Sequence, residues 1–199
     1  MTGERWLIAG LGNPGPEYAG NRHNVGRMVT ALLAERAAGP GVRFKAHRSG
    51  NDIAEGTLAG VPVTVAWPRS YVNLSGRPVA ALAAFYKLPA GRLVVVYDEL
   101  DLPFGVVRLK FGGGENGHNG LRSITQALGT RDYYRVRFGI GRPPGRMDPA
   151  VFVLRDFTAA EHKELPFLLD RCADAAETLL TKGLTEAQNV YHADQGQDP

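Results

Sequence analysis

One cysteine in 199 residues, Cys172, leaves no disulfide framework to read. It falls in a helical pattern among apolar neighbours, so a core role is expected for it rather than nucleophilic chemistry. The five histidines are dispersed, and HxxxH pairs, CxxC pairs and dense carboxylate clusters are all missing, so no metal-ligand spacing is legible. No apolar run is long enough to cross a bilayer, and the start of the chain lacks the basic, apolar and small-residue succession of a secretory leader. A soluble cytoplasmic protein is therefore expected. A GxSxG elbow is missing, and Ser70, Ser75 and Ser123 sit where loop or helix-cap roles suffice, which leaves a serine nucleophile with little support. Without a GxxxxGK loop, the acidic run from Asp98 to Asp101 has weak standing as a divalent-metal site.

What is present is enough apolar material, 44% of residues, to bury the core of one α/β domain, expected to span residues 1–199 with its last few residues disordered. The net charge of +3 hides an uneven distribution. Between Pro103 and Met147 stand eight basic residues, among them Arg108, Lys110, Arg122 and Arg137, against Glu115 and Asp132 alone. A polyanion can dock on such a stretch, although charge by itself also fits solvated surface.

Along the chain, RWLIAG reads as a short buried strand, followed by a Gly/Pro/Asn loop and a helix of period 3.6 through Val29, Leu32, Leu33 and Arg36. NDIAEGTL and VPVTVAW read as a hairpin turning at Ala59 and Gly60. Ser75 is placed to cap a helix with the apolar face Val79, Leu82, Ala83 and Tyr86, and LVVVY reads as a central strand ending at Asp98. A strand around VVRLK, the loop FGGGENGHNG, a helix from about Leu121 to Leu128 and the strand YYRVRFGI follow, and residues 159–181 carry a long helical pattern before a last short helix. The expected fold is α/β: a mixed, mostly parallel, twisted sheet with helices on both faces.

GLGNPG at Gly10 to Gly15 fits the GxGxxG dinucleotide pattern after a strand, but Pro14, Pro16 and the polar run GNRHN delay the helix that would hold a pyrophosphate. Glu35, near the position of a ribose-binding acid, belongs to a helix face and is expected to point to solvent. More telling are the polar residues that fall beyond the carboxyl ends of the strands, where open α/β sheets place their sites. Asn13, His23, Asn73 and Asp98 collect there, with Asn119 in the glycine-rich loop. Each alone is explained by turns and caps. Together they are coherent: a neutral imidazole takes a proton from water, an aspartate fixes its tautomer, and amides donate to a developing oxyanion. Water-mediated hydrolysis is implied.

With GLGNPGPEYAGNRHNVG near the start, then NLSG, DELDLPFG, GGGENGHNGL, RFGIGRP and GLTEAQN in order, the chain resembles the bacterial peptidyl-tRNA hydrolases over nearly its whole length. The resemblance implies a cytoplasmic, monomeric enzyme that cuts the ester between a stranded peptide and the 3′-terminal ribose of tRNA, without metal, organic cofactor or membrane. It implies His23 as catalytic base, supported by Asp98, with Asn13, Asn73 and Asn119 orienting substrate and water. Tyr18 matches a tyrosine at the crevice, and Arg137, Arg108 and Lys110 resemble the surface that meets tRNA. Two positions depart from the family: Val72 stands in the peptide-contacting loop where methionine is usual, and Glu115 falls among the presumed RNA contacts. The alternative is a non-catalytic RNA-binding module on the same scaffold, like the organellar splicing factors that resemble this family. A nucleotide-dependent oxidoreductase is the other rival, and it would need the Gly10 to Gly15 turn to hold a cofactor.

Overall fold

The structure is a computed structural model and describes residues 3–193. The expectation of disorder over the last few residues falls outside that range. In chain order the elements are β1 (Trp6–Gly10), α1 (Val25–Ala38), β2 (Lys45–Ala46), β3 (Asn51–Leu58), β4 (Val61–Pro68), α2 (Gly76–Phe85), β5 (Leu93–Glu99), β6 (Val107–Phe111), α3 (Asn119–Leu128), β7 (Tyr134–Gly139), α4 (Pro149–Phe152), α5 (Ala159–Lys182) and α6 (Leu184–Ala193). The strands form one seven-stranded sheet in the order β2-β3-β4-β1-β5-β7-β6. Its centre, β4-β1-β5-β7, is parallel, and β2, β3 and β6 close the two edges in antiparallel fashion.

Helices cover both faces, and the period-2 alternation of the strands explains how. In β5 every residue is buried, and the alternate members Val94 and Val96 join one apolar cluster with Val29 and Leu33 of α1 and with Ala173 and Ala176 of α5. Leu93, Val95 and Tyr97 join a second cluster, with Val79 and Leu82 of α2 and Leu121 and Ile124 of α3. Cys172 lies fully buried in the first cluster, where burial pushes its thiol pKa up, as suits a core filler. Gly26 is what lets α1 sit so close: a Cβ there would stand 2.2 Å from the Val96 carbonyl oxygen of β5.

The expected hairpin forms at Ala59 and Gly60, both with positive φ (48° and 84°), which matches the twist of the β3 and β4 ladder. The long helix α5 opens on a capping box between Thr158 and Glu161. The free edge of β6 is covered by α6: the Leu109 amide donates to His192 Nε2 at 3.0 Å, and its carbonyl accepts from Gln188 Nε2 at 3.0 Å. One local expectation needs correction. Ser75 does precede α2, but its hydroxyl donates to the Val72 carbonyl at 2.7 Å instead of capping the helix amides. No helix among the described residues is long and apolar enough to cross a membrane.

Candidate active site

The strands β1 and β4 lie side by side and parallel, yet β1 leads to α1 on one face and β4 leads to α2 on the other. The two connections part above the carboxyl ends, which is where such sheets open a crevice. A cleft of about 560 Å³ occupies that place, lined by Asn13, Tyr18, His23, Val72, Asn73, Asp98 and Asn119 among others. All seven sequence-proposed residues for catalysis and peptide binding are thus brought together around one cavity.

Asp98 is the fixed point of the site. It is the last residue but one of the buried strand β5, its side chain is only 2% exposed, and it receives two imidazoles. His23 Nδ1 lies 2.8 Å from one carboxylate oxygen and His118 Nε2 lies 2.9 Å from the other. Burial alone would raise the Asp98 pKa, but the electrostatic attraction of the two histidines and their hydrogen bonds outweigh it and hold the carboxyl well below the usual range. As an ionised carboxylate it can only accept, so both ring nitrogens facing it carry protons. For His23 that leaves Nε2, with its lone pair, turned away from Asp98. Burial lowers the His23 pKa and the charge and hydrogen bond of Asp98 raise it; the balance is a net rise above the ordinary value.

His118 escaped the sequence reading, which passed from the glycine loop directly to Asn119. It is the N-cap of α3, and its Nδ1 accepts from the amides of Gly120 (3.1 Å) and Leu121 (3.3 Å). Two amides aimed at Nδ1 require its lone pair, so the proton sits on Nε2 and is donated to Asp98. A loop histidine immediately before a helix start was the available signal. His23, Asp98 and His118 also form the one trio among the described residues whose ligand atoms lie within 4.8 Å of one another, close enough to hold a metal ion. Three distant segments supply it, so no local spacing announced it.

Asn13 is positioned by its backbone and its side chain separately. The Asn24 amide clamps the backbone, with Oδ1 accepting from Asn13 N at 2.9 Å and Nδ2 donating to Asn13 O at 3.0 Å. Gly12 makes room for this clamp, since a Cβ there would stand 2.9 Å from Asn24 Cγ. Asn13 Oδ1 accepts from the Val72 amide at 2.9 Å, so Nδ2 is the end left to donate. Gly10, where a Cβ would stand 2.7 Å from the Gly26 carbonyl oxygen, and Gly12 thus serve close packing, and the helix that follows begins only at Val25, as the intervening prolines implied. Glu35 is exposed, as expected. Val72 is buried and contributes its backbone to this network, while Asn73 and Asn119 are exposed at the cleft. Tyr18 packs edge-on against Tyr71 at 6.1 Å, and both line the cleft.

The basic residues divide. Lys110 is half-buried beside the glycine-rich loop, and burial together with the charges of Arg137 and Arg135 pulls its pKa below the usual value. Arg137 lies 3.7 Å from the buried Glu99, which also accepts from Asn116 Nδ2 at 3.3 Å. Arg108 is corrected as a surface residue: it is 3% exposed, and its guanidinium donates to the Val107 carbonyl at 3.0 Å, so it presents no open face to a polyanion. Glu115, the departure among the presumed RNA contacts, is paired with Arg131 at 3.1 Å, which offsets its charge.

Comparison with known proteins identifies the family. The family described as Peptidyl-tRNA hydrolase matches residues 7–198. A peptidyl-tRNA hydrolase of Frankia casuarinae is 66% identical over 188 residues, covering 94% of each chain. One of Streptomyces coelicolor is 58% identical, covering 96% of this chain and 97% of that one. A crystal structure of peptidyl-tRNA hydrolase from Acinetobacter baumannii superposes with a TM-score of 0.86 at 33% identity, over 94% of each chain. A match of this extent means that the chain belongs to the peptidyl-tRNA hydrolase family.

Proposed function

We propose that His23 is the general base of a water-mediated hydrolysis of peptidyl-tRNA at this cleft. The observation that carries the reading is the His23–Asp98 pair, which fixes the imidazole so that its unprotonated Nε2 is left to act on water. Hydrolysis of the ester between peptide and tRNA is the activity of the chain; a non-catalytic RNA-binding role is not supported, since relatives and solved neighbours alike are hydrolases.

In the mechanism, His23 Nε2 takes a proton from water as its oxygen attacks the ester carbonyl. Asn13 Nδ2 donates to the resulting oxyanion, while Asn73 and Asn119 orient the peptide and the water. The tetrahedral intermediate collapses with release of the ribose oxygen, which recovers the proton from the His23 imidazolium. Asp98 stays ionised throughout and stabilises that imidazolium. Tyr18 and Val72 border the peptide side. No metal or organic cofactor takes part, and one domain acts as a monomer in the cytoplasm.

The test is deacylation of an N-acetylated aminoacyl-tRNA beside its unacetylated counterpart, without added metal. Cleavage of the acetylated substrate alone is expected, because a free amino group lacks the amide carbonyl with which the cleft asparagines pair. Equal cleavage of both would overturn the peptide-side assignment.

Lys110 and Arg137 supply phosphate contacts that position tRNA without reading its sequence. Lys110→Ala is expected to weaken tRNA binding and to reduce the slope of log affinity against log salt by about 1. Fluorescence anisotropy with labelled tRNA over a KCl series reads both quantities; an unchanged slope would remove Lys110 from the contact surface.

A further inference from the structure

Arg22 precedes the base and takes no part in the mechanism above, yet it is 4% exposed. A guanidinium is enclosed this way only when its surroundings use it. Its Nη2 lies 2.9 Å from Glu161 Oε1, and its Nη1 reaches the carbonyls of Phe152 (3.5 Å) and Arg155 (3.4 Å). The guanidinium lies over the Phe152 ring, 4.1 Å from its centroid, with Phe157 at 5.7 Å. Glu161 Oε1 is at the same time the acceptor of the Thr158 amide at 2.9 Å in the α5 capping box. One carboxylate oxygen therefore joins the start of α5 to the residue before the base.

The main chain follows the same path. The Arg22 amide donates to the Arg155 carbonyl at 3.0 Å, and the amide of His23 itself donates to the Val153 carbonyl at 2.8 Å. Asn21 pairs with Asp156 through a bridge and through Nδ2 donating to Oδ1 at 2.7 Å. On its other side this segment forms a wall of the cleft, through Pro149, Ala150, Val153 and Leu154. The base and this wall thus share one set of hydrogen bonds, which the Arg22 side chain extends to the start of α5.

We propose that Arg22 is a positioning residue for the hydrolysis, fastening the cleft wall of residues 149–154 to the loop that carries His23. It rests on the assignment of His23 as the base at this cleft. The fork of a guanidinium bonds a carboxylate and two carbonyls at once while stacking on an aromatic ring, and an ammonium cannot reproduce that set. Loosening it lets wall and base move apart, which disturbs the acyl side of the substrate and leaves the tRNA side, at Lys110 and Arg137, as it was.

The experiment compares wild type, Arg22→Lys and Glu161→Gln. The glutamine variant keeps an acceptor for the Thr158 amide and removes only the charge pairing, so it holds the fold if the lysine variant does not. Three quantities are read: kcat and KM for an N-acetylated aminoacyl-tRNA, and Kd for deacylated tRNA. A fall in kcat of about tenfold with a raised KM and an unchanged Kd is expected in both variants, since small misplacements of a base are costly. A merely structural role would lower the amount of active enzyme, and so kcat alone. Unchanged KM in both variants while wild type cleaves would overturn the proposal by itself. Wild type that does not cleave, or a His23→Ala variant that still does, would overturn the assignment of the base, and the proposal with it.

Discussion

His23→Ala is expected to lower kcat on an N-acetylated aminoacyl-tRNA by about 10²- to 10⁴-fold, the range that a positioned general base contributes. The size follows from the geometry. Among the described residues two imidazoles line the cleft, and His23 is the one with a ring nitrogen left to act, because both nitrogens of His118 are committed, one to Asp98 and one to the first amides of α3. His118 therefore cannot take over in the variant. Removing His23 leaves Asn13, with its Nδ2 donor, and the basic residues near the glycine loop in place, so binding of deacylated tRNA should be retained. A stopped assay for released tRNA together with anisotropy separates the two effects, and loss of both binding and cleavage would point to collapse of the cleft rather than loss of a base.

Asp98→Asn is expected to be comparably severe, about 10²-fold or more, for a different reason. The carboxylate can only accept, so it forces a proton onto His23 Nδ1 and leaves Nε2 basic; an asparagine can donate, which permits the opposite tautomer, with Nε2 protonated and unable to act on water. The variant also changes the pH profile, and the sign can be worked out. The base must be neutral to act, so kcat/KM falls as pH drops through the His23 pKa. In the wild type that pKa is raised because Asp98 outweighs burial, placing the acidic limb above the ordinary histidine value of about 6.5. With the charge gone, burial remains and lowers the pKa, so the residual activity of Asp98→Asn should show its acidic limb at lower pH than the wild type. A limb that stays in place would mean that another group controls it.

Much of this site was legible from where the strands end. β5 is an unbroken apolar run that can only be a central strand, so Asp98 at its exit had to face the crevice, and Asn13 after β1 and Asn73 after β4 followed by the same rule. The hairpin was carried by Ala59 and Gly60, and the long helix by the apolar spacing that buries Cys172, Ala173, Ala176 and Leu179. What escaped the sequence depends on packing between remote segments. His118 earns its place only because the start of α3 is brought against the end of β5. Asn24 looks like an ordinary motif neighbour until its amide is seen clamping the Asn13 backbone. Arg108 alternates with apolar residues along VVRLK, a pattern that reads as outward-facing on an edge strand, yet the chain encloses it. The two-residue β2 and the single turn of α4 are too short for any periodicity to register.

The most direct test of His23 as the base is to follow its own titration by NMR of the ring protons and to set that beside the pH dependence of kcat/KM on one N-acetylated aminoacyl-tRNA. The expected result is one shared pKa, above about 6.5, that falls in both measurements together in Asp98→Asn. A His23 ring that titrates at a pH where kcat/KM does not change would contradict its role as the base.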